Sequence, residues 1–180
     1  MKPAVFIDRD GTINMEKHYL HKIEDFEFIH GSDKAIKMLN DKGFLVIIVT
    51  NQSGVARGFY NEEDVKKLHD HMKQELNKVG AHFDAIYYCP HHDESVIKQY
   101  KIDCDCRKPK TGMFNSAKKE FDIDLNNSWM IGDKKEDMEF AENSGLKGIL
   151  VRTGHGKNVN GNFLIKKDLK EAINFIIKDD

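Results

Sequence analysis

Five short apolar runs alternate along this chain with longer amphipathic stretches, and that alternation fixes the class of fold. The runs are Ala4–Ile7, Phe44–Val49, Ala85–Tyr88, Trp129–Ile131 and Gly148–Val151. Between them apolar residues recur at helical spacing. Ala35, Ile36 and Leu39 follow a capping Ser32, and Val65, Leu68, Met72, Leu76 and Val79 follow Asn61. Met113, Phe114, Ala117 and Phe121 form a third stripe, Met138 and Ala141 a fourth that ends near Gly145, and Leu169, Ala172, Ile173 and Ile176 a fifth. Strands that are apolar on both faces must be covered on both, which predicts an α/β fold with a parallel sheet flanked by helices. A chain of 180 residues is expected to form one domain over residues 1–180, with a substantial core.

In such a sheet ligands bind beyond the carboxyl ends of the strands. The first run leads into Asp8-Arg9-Asp10-Gly11-Thr12. Residues two apart on an extended chain project to one side, so both carboxylates can face one substrate. Gly11 lets the backbone turn, and the Thr12 hydroxyl is expected to hold that turn. One carboxylate as nucleophile beside another as proton donor suits acyl or phosphoryl transfer. A calcium loop is excluded, because its glycine and glutamate positions, counted from Asp8, hold Ile13 and Tyr19. The second run leads into Thr50-Asn51-Gln52-Ser53-Gly54, a hydroxyl and amides suited to gripping phosphate oxygens. The fourth leads into Gly132-Asp133-Lys134, with Asp137 a helical turn later, and Arg107-Lys108-Pro109 precedes the third helix. Asp137 reads either as a surface helix residue or as a partner that orients Lys108 or a metal-bound water.

This set of motifs in this order resembles the haloacid dehalogenase (HAD) superfamily of aspartate-nucleophile phosphotransferases, over residues 4–151. The resemblance implies a capless, Rossmann-like domain in which Asp8 is the nucleophile and Asp10 the proton donor. It gives catalytic roles to Thr50 and Lys108, and a magnesium ion to Asp8, Asp133 and the backbone carbonyl of Asp10. The physics is consistent with those roles. A carboxylate with a pKa of about 3.9 is already ionised at neutral pH, so Asp8 needs no base. Its obstacle is repulsion from phosphate, about 4 kcal/mol per charge pair at about 4 Å and an effective dielectric near 20. A divalent cation and Lys108 offset that. An acid at the second position favours phosphate esters over carbon–halogen bonds.

The segment from Pro90 to Lys110 is polar, aperiodic and long for an unsupported connection. All three cysteines lie in or beside it: Cys89, followed by His91, and then Cys104 and Cys106. These four side chains suit a closed tetrahedral zinc site, with His92 pointing away. The alternative is two buried thiols with a third nearby. A closed site has no position for substrate, so the zinc is expected to be structural, steadying Arg107 and Lys108 next to Cys106. With this loop (89–106) inserted, the pattern is similar to the small branch containing heptose bisphosphate phosphatases and histidinol-phosphate phosphatases. The stretch from Val49 to Gly58 leans toward the heptose enzymes. By that resemblance Glu16, Lys17, His18 and Tyr19 line the substrate entrance, Arg107 meets the distal part of the substrate, and Thr50, Asn51, Gln52, Ser53, Lys108 and Lys134 bind it too. The implied reaction is removal of the 7-phosphate of D-glycero-D-manno-heptose 1,7-bisphosphate, in nucleotide-activated heptose biosynthesis such as that for lipopolysaccharide. The alternative substrate is histidinol phosphate. The sequence departs from this branch at Thr111 and at Lys17-His18.

A net charge of −2 with no long run of one sign argues against nucleic acid or an anionic membrane as partner. No stretch approaches the length of a membrane span, and four apolar residues before Asp8 are too few for a signal-peptide core. A cytoplasmic monomer acting on a phosphorylated sugar is therefore expected. His69 and His71, on different helix faces, read as solvated, and His155 as a loop residue.

Overall fold

A computed structural model describes residues 1–179. Six strands form one parallel sheet in the order β3-β2-β1-β4-β5-β6. They span Ala4–Ile7 (β1), Leu45–Asn51 (β2), Ala85–Cys89 (β3), Trp129–Gly132 (β4), Lys147–Val151 (β5) and Leu164–Lys166 (β6). The helices are Ser32–Asp41 (α1), Glu62–Lys78 (α2), Gly112–Glu120 (α3), Lys135–Ser144 (α4) and Leu169–Asp179 (α5). Alternate residues of each central strand enter different cores. Val5, Ile7, Val46 and Ile48 pack with α1, α2 and α5, whereas Phe6, Ile47, Val49 and Met130 pack with α3 and α4. This is the two-sided burial that the uninterrupted apolar runs demand.

The strand order reverses its direction of growth at β1, which lies between β2 and β4. Parallel pairing sets Ile7 level with Ile48 and Ile131. Residues just past these positions therefore converge on one end of the sheet, at the topological switch where such folds bind ligands.

Several elements differ from the sequence expectation. β2 begins one residue later than Phe44 and runs on through Thr50 and Asn51, so those two side chains belong to the strand. β6 was not anticipated, since three partly exposed residues carry too little pattern. Ser32 does not cap α1. Gly31, at φ 79°, takes that position, and the Ser32 hydroxyl donates to the Ile13 carbonyl at 2.7 Å. Asn61 caps α2 as expected, in a reciprocal capping box with Asp64.

Candidate active site

Asp8 leaves the end of β1 with its amide donating to Ile131 O on β4 at 2.9 Å. The turn after it is held by the Arg9 carbonyl, which accepts from the amides of Thr12, Ile13 and Asn14. The Thr12 hydroxyl, expected to hold this turn, is buried without a hydrogen-bond partner. Gly11 sits at φ 84°, and a Cβ there would collide with the Asp133 carboxylate. A glycine is needed on both counts.

Lys108 is the pivot of the centre. Its buried ammonium donates to Asp8 Oδ1 (2.7 Å) and Val49 O (2.8 Å) and lies 2.6 Å from Asp137 Oδ1. Burial works against its charge, but Asp137 and Asp8 outweigh that and raise its pKa. Asp137 is thus buried and paired with Lys108, the second of its two readings. The amide and carboxamide of Asn51 and Lys108 clamp the lysine from behind: Lys108 N donates to Asn51 Oδ1 (3.0 Å), and Asn51 Nδ2 to Lys108 O (3.1 Å).

One oxygen from each of Asp8, Asp133 and Asp137 lies within 4.8 Å of the others. Asp8 Oδ2 and Asp133 Oδ1 are buried and have no hydrogen-bond partner, whereas Asp133 Oδ2 accepts from the His155 amide at 2.7 Å. Burial, then the charges of Asp8 and Asp137, push the Asp133 pKa up to about 8. Three buried carboxylates cluster about one buried lysine that pairs with only Asp8 and Asp137, and oxygens of Asp8 and Asp133 are left unsatisfied. Such a cluster fits a hard divalent cation with oxygen ligands.

Asp10 faces elsewhere. Arg9 grips its carboxylate, Asn14 Nδ2 donates to Oδ1 (3.0 Å), and Gln52 Nε2 donates to Oδ2 (2.9 Å). Burial alone would raise its pKa, but the Arg9 charge and these hydrogen bonds lower it. Gln52 also donates to Thr50 Oγ1 (2.9 Å) and accepts from the Tyr60 hydroxyl (2.8 Å). The amides of Asn51 and Gln52, expected to grip phosphate, are thus committed to Lys108 and to Asp10.

A cleft of about 260 Å³ opens over Asp10, lined by Glu16, His18, Tyr19, Asn51, Gln52, Ser53, Tyr60, Lys134 and His155. Lys17 does not join them; its ammonium lies 3.2 Å from Glu27. Arg107 lines a second cavity of about 490 Å³ with His92, Lys101, Asp103 and Lys110, and donates to His91 O at 3.3 Å. His69 is buried against Arg9 rather than solvated. His71 is half-buried beside Phe26. His155, expected to be a loop residue only, also lines this cleft. His155 follows β5, so the strand-end rule applied to a fifth strand would have found it.

Cys89, His91, Cys104 and Cys106 converge at the base of the 90–110 segment, their ligand atoms within 4.8 Å of one another. Cys89 Sγ lies 3.5 Å from Cys104 Sγ, and His91 Nδ1 lies 3.3 Å from Cys106 Sγ. A tetrahedron with metal–sulfur bonds of about 2.3 Å has edges of roughly 3.7 Å, so the group suits one metal ion. His92 stands outside it.

Comparison with known proteins gives the family and the fold. A HAD-hydrolase-like family model matches residues 105–172. The chain is 49% identical over 162 residues to a D-glycero-beta-D-manno-heptose-1,7-bisphosphate 7-phosphatase of Haemophilus ducreyi, covering 89% of this chain and 88% of that one. It is 47% identical to the protein of the same name from Photorhabdus laumondii, covering 98% and 97%. Among solved structures, the D,D-heptose 1,7-bisphosphate phosphatase of B. bronchiseptica, complexed with magnesium and phosphate, superposes with a TM-score of 0.87. It is 29% identical, with full coverage of both chains.

Proposed function

The chain belongs to the family of D-glycero-beta-D-manno-heptose-1,7-bisphosphate 7-phosphatases, and on that premise we propose that it hydrolyses the 7-phosphate ester of this bisphosphate through an aspartyl-phosphate on Asp8. The single observation that carries the mechanism is the pairing of Lys108 with Asp8 and Asp137 beside the unsatisfied oxygens of Asp8 and Asp133.

Asp8, Asp133 and the Asp10 backbone carbonyl would hold magnesium, and Cys89, His91, Cys104 and Cys106 a structural zinc. Bound magnesium supplies positive charge where the phosphate and the carboxylates meet. Lys108 adds a fixed cation at the same place and orients the Asp8 carboxylate. Asp8 attacks phosphorus as the bond to the sugar oxygen breaks, and Asp10 delivers a proton to that departing oxygen. Because Arg9, Asn14 and Gln52 favour its ionised form in the free enzyme, it takes that proton from solvent as the anionic substrate binds. Asp10, now ionised, takes a proton from the water that attacks phosphorus next, releasing phosphate and restoring Asp8. Thr50 and the backbone amides of Ser53 and Gly54 cradle the phosphoryl oxygens. Glu16, His18, Tyr19, Ser53 and Lys134 contact the sugar from the cleft. Arg107, at its separate cavity, reaches only a distal group.

The test is phosphate release from the heptose bisphosphate with magnesium present. Asp8→Asn should lower kcat by roughly a thousandfold or more while the circular dichroism spectrum is unchanged; undiminished turnover would refute the nucleophile. Histidinol phosphate, the competing substrate, should be turned over far more slowly than the heptose ester.

A further inference from the structure

Arg9 lies between the two motif carboxylates in sequence, yet it is buried to 1% exposure and its side-chain partners are Asp10, Leu20 and His69. Its fork closes on Asp10, with Nε 3.2 Å and Nη2 3.0 Å from Oδ1, and Nη2 2.8 Å from Oδ2. Nη2 also donates to Leu20 O at 3.4 Å. The remaining nitrogen, Nη1, lies 2.9 Å from Nε2 of His69, which projects from α2 and is itself only 5% exposed. A guanidinium has donors and no acceptor, so His69 Nε2 must accept, with the ring neutral and its proton on Nδ1. Burial first, and the Arg9 charge second, hold its pKa down at about 3, consistent with a ring that stays neutral.

The consequence is geometric. A guanidinium held only by Asp10 and the long contact to Leu20 O could still pivot about the carboxylate. With Nη1 anchored on a helix that packs in the core, its plane is fixed, and so is the plane of the carboxyl group it grips. Proton transfer needs that group within hydrogen-bond reach of the departing oxygen, and small misplacements at such a step cost large factors in rate. We propose that His69 is a positioning residue for proton transfer, acting through Arg9 to orient the Asp10 carboxyl. This rests on Asp10 being the acid–base group of the proposed function. The step concerned is the first: the phosphorus–oxygen bond to the sugar breaks, and the leaving alkoxide takes the Asp10 proton.

That step can be isolated by the leaving group. An alkoxide needs the proton, whereas 4-nitrophenolate departs without one, and kcat/KM reports only events up to that departure. His69→Met and His69→Gln have similar volume, but only Gln offers an oxygen acceptor to Arg9. For His69→Met, kcat/KM on the heptose bisphosphate should fall by about tenfold or more while that on 4-nitrophenyl phosphate changes by less than about twofold. His69→Gln should recover most of the loss. Should the Met variant fail to fold by circular dichroism, His69→Asn, too short to reach Arg9, takes its place. Unchanged or equal losses on the two esters would overturn the proposal. Asp10→Asn serves as the control. If it too lowers both esters alike, the assignment of Asp10 fails and the proposal with it; if its loss is selective for the heptose ester, a non-selective His69 result refutes the His69 role alone.

Discussion

Asp133 and His69 are buried ionisable groups whose shifts run in opposite directions along the pH scale. The folded pKa of Asp133, about 8, lies above its ordinary 3.8, because burial and the charges of Asp8 and Asp137 oppose ionisation. Below pH 4 this shift costs nothing. The folded state loses stability as pH rises from there toward 8, because it keeps a proton that the unfolded chain gives up. In magnesium-free buffer at pH 8, Asp133→Asn should therefore raise the urea-unfolding free energy by roughly 2 to 5 kcal/mol. The same variant should lose the stabilisation that added magnesium gives the wild type. His69 is the reverse case, its folded pKa of about 3 lying below the ordinary 6.5. Its contribution is complete above pH 6.5 and is lost as pH falls toward 3, since the unfolded chain gains a proton that the fold excludes. Urea unfolding at pH 7 and pH 4.5 should show the wild type losing about 2 to 3 kcal/mol more than His69→Gln over that interval. Both residues were visible in the sequence, but only one was legible. Asp133 stands at a strand end, whereas nothing on α2 marked which histidine face met a buried arginine.

Helices and strands were readable where one pattern dominated, and the 90–110 segment was readable because it lacked one. Its cysteines suggested a metal, and with His91 they converge at the end of β3, where one ion would anchor the segment. The neighbouring Cys89 and His91 side chains lower the Cys106 thiol pKa to about 5, which favours the thiolate that binds metal. The same element carries Lys108, two residues beyond Cys106, into the centre. If the cluster holds zinc as proposed, Cys104→Ser should lower the zinc content measured by elemental analysis. It should lower the thermal midpoint by several degrees or more, since metal binding of this kind is folding free energy. Activity should fall together with zinc content, because the peptide that presents Lys108 loses its tether. What the sequence did not reveal at this scale were the short elements. β6 has three residues, and Gly31 displaces Ser32 at the start of α1 because the serine hydroxyl finds a better partner in the Ile13 carbonyl.

At the scale of the whole molecule, a six-stranded parallel sheet packed on both faces sets the geometry at the carboxyl ends of its strands. No helix among the described residues is long and apolar enough to cross a membrane. Phe6 lies directly beneath the centre, its ring 5.5 Å from Phe114 and 6.5 Å from Phe140, which joins β1 to α3 and α4 at once. Phe6→Ala should cost about 3 to 5 kcal/mol in urea unfolding, because a flanked cavity in a two-sided core cannot collapse. The parallel sheet, its flanking helices, the strand-end carboxylates and the cysteine site were determined by the sequence alone, because each is a local pattern: a period, a turn, or a spacing along an extended chain. Which groups would meet was decided only by tertiary structure. Lys108 is a hundred residues from Asp8, and His69 sixty from Arg9. Tyr60 reaches Gln52, Lys17 turns to Glu27, and Arg107 lines a different cavity from the cleft. Side-chain direction at such contacts depends on how layers pack and which buried charges must be paired, and neither is written in the spacing of residues along the chain.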